Sequence, residues 1–218
     1  MAKLTWDQAG QKFYETGIDQ GVLYPQVEDG SYPKGVAWNG LIGVAQSPSG
    51  AEPTALYANN AKYLELMSNE EFGFTIKAYT YPEEFEACNG EAELAEGVVI
   101  GQQNRTPFGM TYRTILGNDA KSNDYGYKLH LIYGAKAKPS ELDFNTVNDN
   151  PEAIEMSWEC STTPVKVEGF KPTAHVCITS TTVDAGKLKQ LEDMLYGTES
   201  EEAQLPSLTE LVELFKTA

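Results

Sequence analysis

GVAWNGLIGV (35–44) and FGFTIKAYTY (72–81) decide the fold of this chain because of what lies between them. Both segments predict β-strands, and the second has a clear period-two pattern. Its inward face consists of alternate apolar residues: Phe72, Phe74, Ile76 and Ala78. The segment between the strands, residues 45–71, is much longer than the roughly 2 to 5 residues that a hairpin loop needs. The pattern therefore predicts a long inter-strand arm.

The arm has apolar side chains that need burial. It runs from Ala45 to Glu71, includes Pro48 and contains the tract ALYANNAKYLEL (55–66). The apolar residues in this tract are Leu56, Tyr57, Tyr63, Leu64 and Leu66. Because large exposed apolar patches mark interaction sites, we expect these side chains to be covered by another copy of the chain.

Composition limits the class of protein. A chain of 218 residues with 41% apolar content can fill the core of one large β-rich domain. No apolar run of about 18 residues is present, and MAKLTWDQAGQKF (1–13) lacks the apolar centre of a signal peptide. The three cysteines, Cys88, Cys160 and Cys177, cannot all pair within one chain and show no CxxC spacing. We therefore expect reduced thiols and assembly in a cytoplasm, with neither a disulfide framework nor a zinc site.

The net charge excludes one functional class. The chain has 32 Asp and Glu against 16 Lys and Arg, which gives a formal charge of −16. Nucleic-acid binders neutralise phosphates with clustered Lys and Arg, so this chain is not expected to bind DNA. The simplest interpretation of the acidic excess is solubility, and a sharper one is a surface that repels DNA.

Further along the chain, alternation predicts antiparallel strands. GVVIGQQ (97–103), MTYRTILG (110–117) and AHVCITS (174–180) are three of them. In YGYKLHLIYGAKA (125–137) the pattern predicts one buried face, formed by Tyr127, Leu129, Leu131, Tyr133 and Ala135, and one polar face, formed by Lys128, His130 and Lys136. A polar connection, residues 138–152, follows. AIEMSWEC (153–160) predicts an inward face of Ile154, Met156, Trp158 and Cys160.

Two helices are predicted near the end. The first, residues 183–196, has Thr182 or Asp184 as N-cap and Gly197 as its end. The second begins with the capping box Ser207 to Glu210. These patterns divide the chain into a single β-rich domain, 1–198, and an acidic linker with a C-terminal amphipathic helix, 199–218. That last helix can dock on its own domain or on a neighbouring subunit.

Residues suited to catalysis are sparse. The only histidines, His130 and His175, lie in predicted strands. His175 and Cys177 share a strand face and could form a dyad or a metal pair, but a third ligand is missing. Glu83, Glu84 and Glu86 could imitate a glycosidase centre, although a short helical turn after Pro82 is the better interpretation. We expect no catalytic residues, no metal site and no cofactor.

Four segments together resemble the major tail tube protein of long-tailed bacteriophages, of the siphophage type or from a related tail-like bacteriocin. They are residues 35–90, RTPFGMTYRTILGNDA (105–120), YGYKLHLIYGAKA (125–137) and EMSWECSTTPV (155–165). The resemblance implies a mainly β fold with some α: an antiparallel β-sandwich or barrel-like subunit flanked by a helix. Six subunits would form a ring, and rings would stack into a hollow tube in the virion tail.

The resemblance also implies roles for particular residues. Pro48, Leu56, Tyr57, Tyr63 and Leu64 would belong to the arm that bridges rings. The implied partners are the chain itself, the tape-measure protein and the tail terminator and baseplate proteins, with no membrane involved. DNA would pass through the lumen without specific binding. An acidic wall would let it slide, and the lumen candidates are Glu155, Glu159 and Glu71, which could instead face outer solvent.

Other functional classes remain open at this stage. The main alternative is a monomeric carbohydrate-binding or adhesin-like β-sandwich that uses exposed aromatic residues among its 12 tyrosines and 3 tryptophans. An acidic DNA mimic and a hydrolase are more distant alternatives.

Overall fold

The computed structural model describes residues 3–147 and 152–216, and it is mainly β with antiparallel sheets and a few helices, as predicted. The strands from the amino terminus to the end of the arm region are β1 (Phe13–Pro25), β2 (Val36–Ala37), β3 (Leu41–Gln46), β4 (Ser49–Gly50), β5 (Pro53–Ala58), β6 (Ala61–Met67), β7 (Glu70–Glu71) and β8 (Gly73–Ala78). The remaining strands are β9 (Ala92–Ala95), β10 (Val98–Ile100), β11 (Phe108–Asn118), β12 (Ser122–Ala137), β13 (Met156–Thr162) and β14 (His175–Thr179). The predicted connection 138–152 lies partly outside the described residues.

One sheet of eight strands forms the body, in the order β2-β1-β11-β12-β13-β8-β3, and β14 pairs with β12 beside β13. The sheet curls until β1 and β3, near its opposite ends, come together, so that a Cβ added to Gly21 of β1 would lie 2.8 Å from the Leu41 side chain of β3. The body is therefore a barrel-like sheet. Beyond that contact β1 and β3 separate, which leaves the barrel open at one place.

Apolar clusters lie on both sides of this sheet. The inner core, inside the curl, includes Phe74, Ile76, Phe85, Met110, Ile132 and Trp158. The outer core lies between the sheet and two helices, and it includes Val22, Tyr24, Leu129, Leu131 and Tyr133. Burial on both sides means that the central strands have no solvent face over much of their length.

Strand β12 does not have the predicted arrangement of one buried and one polar face. Leu131 lies in the outer core and Ile132 in the inner core, and His130 is only 8% exposed. A register shift opposite β11 moves Ala135 to the inner core, so it does not share a face with Leu131. Gly134 makes this bulge possible because its φ is +61° and a Cβ there would lie 2.5 Å from the Thr163 carbonyl oxygen.

Two further expectations need correction. The segment 35–44 forms two short strands, because Gly40 takes a φ of +73° and turns the chain before β3. Strand β13 begins at Met156, so Ile154 lies outside it and is 40% exposed, whereas Trp158 and Cys160 are buried as predicted. On β8, the predicted inward residues Phe74, Ile76 and Ala78 are buried.

The helices are α1 (Glu86–Asn89), which continues a 3-10 turn at Glu83–Phe85, α2 (Ala185–Tyr196) and α3 (Leu208–Phe215). Asp184 is the N-cap of α2 and accepts hydrogen bonds from the amides of Gly186 and Lys187. The capping box of α3, Ser207 with Glu210, is present as predicted. Both helices pack on the outer core of their own chain through apolar residues: Leu188, Leu191, Leu195, Leu208 and Leu211.

Candidate functional site

The arm is one long β-hairpin. Strands β3, β4 and β5 pair in turn with β8, β7 and β6, so the ladders continue from the sheet to the tip. The tip is a two-residue turn at Asn59 and Asn60, with φ values of +51° and +61°. Positive φ at both positions is typical of a type I′ turn, in which Asn is favoured. The sequence prediction of an arm missed this turn, although the Asn pair was its signal.

The predicted arm residues are exposed. Tyr57 is 73% and Tyr63 is 72% exposed, and Leu56 and Leu64, which pair across the ladder, are 42% and 38% exposed. Pro48, between β3 and β4, is also exposed. A two-stranded ladder is only one layer thick, so it cannot bury side chains on either face by itself. The arm therefore has apolar groups on a part of the chain that projects from the sheet.

The lumen candidates lie on the outer side of β13 and at the base of the arm. Glu159 lies between the buried Trp158 and Cys160 on β13, so its side chain points away from the inner core. Glu71 on β7 and Glu159 line the same shallow cavity of about 240 Å³, next to Lys138. Glu155 is just outside β13. The structure therefore brings Glu71 and Glu159 together but not Glu155.

Lysines balance part of this acidic surface. The Lys77 ammonium lies 2.8 Å from a carboxylate oxygen of Glu155, and Lys138 forms an ion pair with Glu159. Both pairs are exposed, so each contributes little to stability. The surface around these glutamates is thus less negative than the net charge of the chain implies, and their place in a lumen stays a prediction.

A second region was not found by sequence reasoning. Where β1 and β3 separate, an open cavity of about 590 Å³ exposes one end of the barrel interior. We call it the barrel mouth, and its lining includes Glu15, Val44, Gln46, Tyr112, Lys128 and His130. Glu15 accepts hydrogen bonds from Lys128 and Thr114. Burial works to raise the pKa of Glu15, but these bonds outweigh it and lower the pKa.

The two histidines meet at this mouth. His130 Nδ1 lies 3.2 Å from His175 Nε2, and the ring planes differ by 9° with centroids 5.4 Å apart. The centroid separation exceeds the nitrogen distance by about the width of one imidazole ring, so the rings lie edge to edge in nearly one plane. Tyr112 stacks on His130 at 4.7 Å, and Phe72 stacks on His175 at 4.8 Å.

This arrangement does not form a recognisable catalytic centre. His175 lies within hydrogen-bond distance of His130, so its Nε2 does not form the possible dyad with Cys177. Among residues 3–147 and 152–216, no group of three or more His, Cys, Asp and Glu side chains is placed to hold a metal ion. Glu83 and Glu84 lie in the short helical turn that the sequence predicted, with Phe85 buried.

Comparison with known proteins does not identify a family for this chain. No protein-family model and no curated protein matches the chain. The likeness to tail tube proteins therefore rests on the sequence segments quoted above. Within the described part of the chain, no helix is long and apolar enough to cross a membrane.

Proposed function

We propose that this protein is a structural subunit that assembles with copies of itself into a hollow tube, in the manner of the major tail tube proteins of long-tailed phages or tail-like bacteriocins. The observation that carries the proposal is the arm, a projecting hairpin with apolar groups on both faces. Such a surface is unfavourable in water, and a neighbouring subunit can cover it.

Other exposed apolar groups support self-association. They occur on separate parts of the chain: Leu4 and Trp6 near the amino terminus, Leu94 and Val98 on the β9–β10 hairpin, and Phe144 and Phe170 in the loops around β13. Single exposed apolar residues are ordinary on a protein surface. Several projecting segments that each expose large ones favour a subunit with more than one contact to its neighbours.

The proposed use of the arm favours a filament over a closed dimer. The arm of one subunit would cover a different surface on the next, which is a heterologous contact, and repeated heterologous contacts generate rings and helical filaments. In this proposal six subunits form a ring, rings stack through the arms, and DNA slides through the lumen past Glu71, Glu155 and Glu159. Tape-measure, terminator and baseplate proteins would contact the ends and interior of the tube in the virion tail.

The alternative of a carbohydrate-binding monomer has less support. Aromatic platforms for sugars need exposed rings, but two of the three tryptophans, Trp38 and Trp158, are buried in the inner core. The exposed tyrosines of the arm, Tyr57 and Tyr63, lie on a narrow hairpin and not in a groove. A structural role therefore accounts for more of the exposed apolar surface than sugar binding does.

The test is the state of the purified chain as its concentration rises. Sedimentation velocity should detect a change from monomers to large particles, and negative-stain electron microscopy should then reveal tubes of constant width. Glycan binding by a species that stays monomeric at every concentration would support the alternative and overturn the proposal.

A further inference from the structure

We infer that Asn39, in the exposed turn between β2 and β3, is a site of spontaneous chemical modification. The backbone nitrogen of Gly40 attacks the side-chain amide of Asn39, ammonia is released, and the product alters the turn that leads into the arm hairpin. The reaction needs only the folded chain and water. It therefore does not depend on whether chains assemble into tubes.

The sequence contains three dipeptides in which this kind of reaction is favoured: Asp29–Gly30, Asn39–Gly40 and Asn89–Gly90. In each, the carbonyl carbon of the side chain can form a five-membered ring with the next backbone nitrogen. Glycine at the second position favours ring closure, because it has no side chain to hinder the approach and allows a wide range of backbone angles. The sequence alone does not distinguish the three dipeptides, so the fold decides which of them can react.

The turn at Asn39 leaves both reacting groups free. Asn39 and Gly40 are exposed, and Gly40 has a φ of +73°. Across the residues that the structure describes, none forms a hydrogen bond with the Asn39 side chain or with the Gly40 amide nitrogen. The side chain can therefore rotate toward that nitrogen without breaking a hydrogen bond of the fold.

Asn89–Gly90 has the same two residue types in a closed setting. Gly90 is buried, and its amide donates to the Glu86 carbonyl at the end of α1. The Asn89 side chain donates to the Glu91 carboxylate at 3.0 Å, and its amide oxygen accepts from the Arg105 guanidinium at 3.4 Å. Ring closure here must first open the end of the helix, so this dipeptide is protected.

Asp29–Gly30 is closed in a similar way. The Gly30 amide donates to the Val27 carbonyl at 2.9 Å, and the Asp29 carboxylate accepts from the amide and the hydroxyl of Ser31 at 2.8 and 2.6 Å. An ionised carboxylate is also a weaker electrophile than an amide. Of the three dipeptides, Asn39–Gly40 is thus the one with a free electrophile and a free nucleophile.

The reaction proceeds in two balanced steps. The Gly40 nitrogen forms a bond to Asn39 Cγ while the Cγ–Nδ2 bond breaks, and the proton of the Gly40 amide leaves with Nδ2 as ammonia. Water then opens the cyclic imide. Cleavage of the Cγ–N bond gives aspartate in an ordinary chain. Cleavage at the main-chain carbonyl carbon instead gives an isoaspartyl link, in which the chain runs through the former side chain.

The isoaspartyl link lengthens a turn that is held on both sides. Before Asn39, the Trp38 indole donates to the Thr80 carbonyl at 2.9 Å, and after it the Tyr79 amide donates to the Gly40 carbonyl at 2.8 Å. The link adds one backbone carbon between these anchors. Trp38 is buried in the inner core, so we expect the exposed Gly40–Tyr79 bond to be the one that is lost.

The first test compares two of the dipeptides within one molecule. The folded protein is kept at mildly alkaline pH, because ring closure is faster when the amide nitrogen loses its proton, and digested samples are analysed by mass spectrometry. The Asn39 peptide should convert to aspartyl and isoaspartyl forms at least roughly tenfold faster than the Asn89 peptide. That ratio corresponds to about 1.4 kcal/mol of local opening free energy at α1.

The unfolded protein is the control for this comparison. In denaturant both asparagines precede a glycine in an open chain, so the two conversion rates should become similar. Similar rates in the folded protein, or faster conversion at Asn89, would overturn the proposal. An Asn39 that stays intact in the folded protein but reacts in denaturant would overturn it as well.

The second test measures the effect on the turn. The isoaspartyl fraction is compared with freshly prepared Asn39→Asp, which has the same added charge in an ordinary backbone. Hydrogen-exchange protection at the Tyr79 amide should fall roughly tenfold in the isoaspartyl fraction, as expected when one hydrogen bond is lost. Protection in Asn39→Asp should stay close to that of the unaltered protein. Equal protection in all three proteins would overturn the inferred change in the turn.

Discussion

The chain contains two long β-hairpins that differ in what covers them. The hairpin of β11 and β12 lies between the inner and outer cores, and residues such as Leu131 and Ile132 are fully buried on opposite faces. The hairpin of the arm runs from β3 to β8 and has exposed apolar side chains on both faces near its tip. Both are antiparallel two-stranded ladders. The difference teaches that the chain provides the cover for the first hairpin and leaves the apolar groups of the second exposed, which is the surface that the proposed neighbouring subunit would cover.

The largest expected effect on folding comes from truncating the covered hairpin. Leu131→Ala removes a fully buried side chain from the outer core. It should lower the free energy of unfolding by about 2 to 5 kcal/mol, because large-to-small changes in a core lose burial and leave a cavity. Chemical denaturation checks the value, and a change below about 0.5 kcal/mol would mean that the two hairpins do not differ as described.

The corresponding change in the arm should affect assembly and not folding. Tyr63→Ser and Leu64→Ser together remove exposed apolar area from the tip, so the free energy of unfolding of the monomer should change by no more than about 0.5 kcal/mol. The concentration at which large particles form should rise at least roughly tenfold, since about 1.4 kcal/mol of lost contact free energy has that effect. Tyr79→Ser, which removes a 55% exposed tyrosine outside the arm, is the matched control. If Tyr79→Ser raises the assembly concentration equally, the arm has no special role in assembly.

A smaller effect is expected where a helix cap supports the outer core. Ser207 accepts a hydrogen bond from the Glu210 amide and its own amide donates to the Glu210 carboxylate. Ser207→Ala should therefore reduce the free energy of unfolding by about 1 kcal/mol. Thermal or chemical unfolding measures this, and no loss of stability would show that α3 does not help to cover the sheet.

A small effect on stability is also expected for Glu155, just outside β13, and Glu159, within it. Glu155→Lys with Glu159→Lys breaks two exposed ion pairs, with Lys77 and Lys138. The free energy of unfolding should therefore change by about 0 to 1 kcal/mol. If these residues line a lumen, tubes of this variant should retain duplex DNA in cosedimentation at low salt and release it as salt is added. Glu199→Lys with Glu201→Lys makes the same charge change in the linker. If tubes of both variants retain DNA, or tubes of neither do, then Glu155 and Glu159 do not line the lumen.

Sequence reasoning was successful where one face of a strand is buried. The period-two pattern predicted the inward residues Phe74, Ile76, Trp158 and Cys160. The capping pattern predicted the start of α3 and gave Asp184 as one of two candidates for the N-cap of α2. The pattern failed on β12 for two reasons. Residues on both faces of this strand are buried, and the bulge at Gly134 reverses which residues face the inner core after it. Sequence reasoning also missed the histidine pair, since His130 and His175 are 45 residues apart in the chain and only the pairing of β12 with β14 brings them together.

The central claim is that the arm is completed by another subunit, and shortening the arm tests it most directly. Replacing Pro53–Met67 with two glycines removes β5 and β6 but keeps the pairing of Ser49 with Glu71 at the base. At a concentration where the full-length protein forms tubes, negative-stain microscopy should reveal folded single subunits or isolated rings of the shortened protein. Long tubes formed by the shortened protein, or a full-length protein that stays monomeric throughout, would contradict the account.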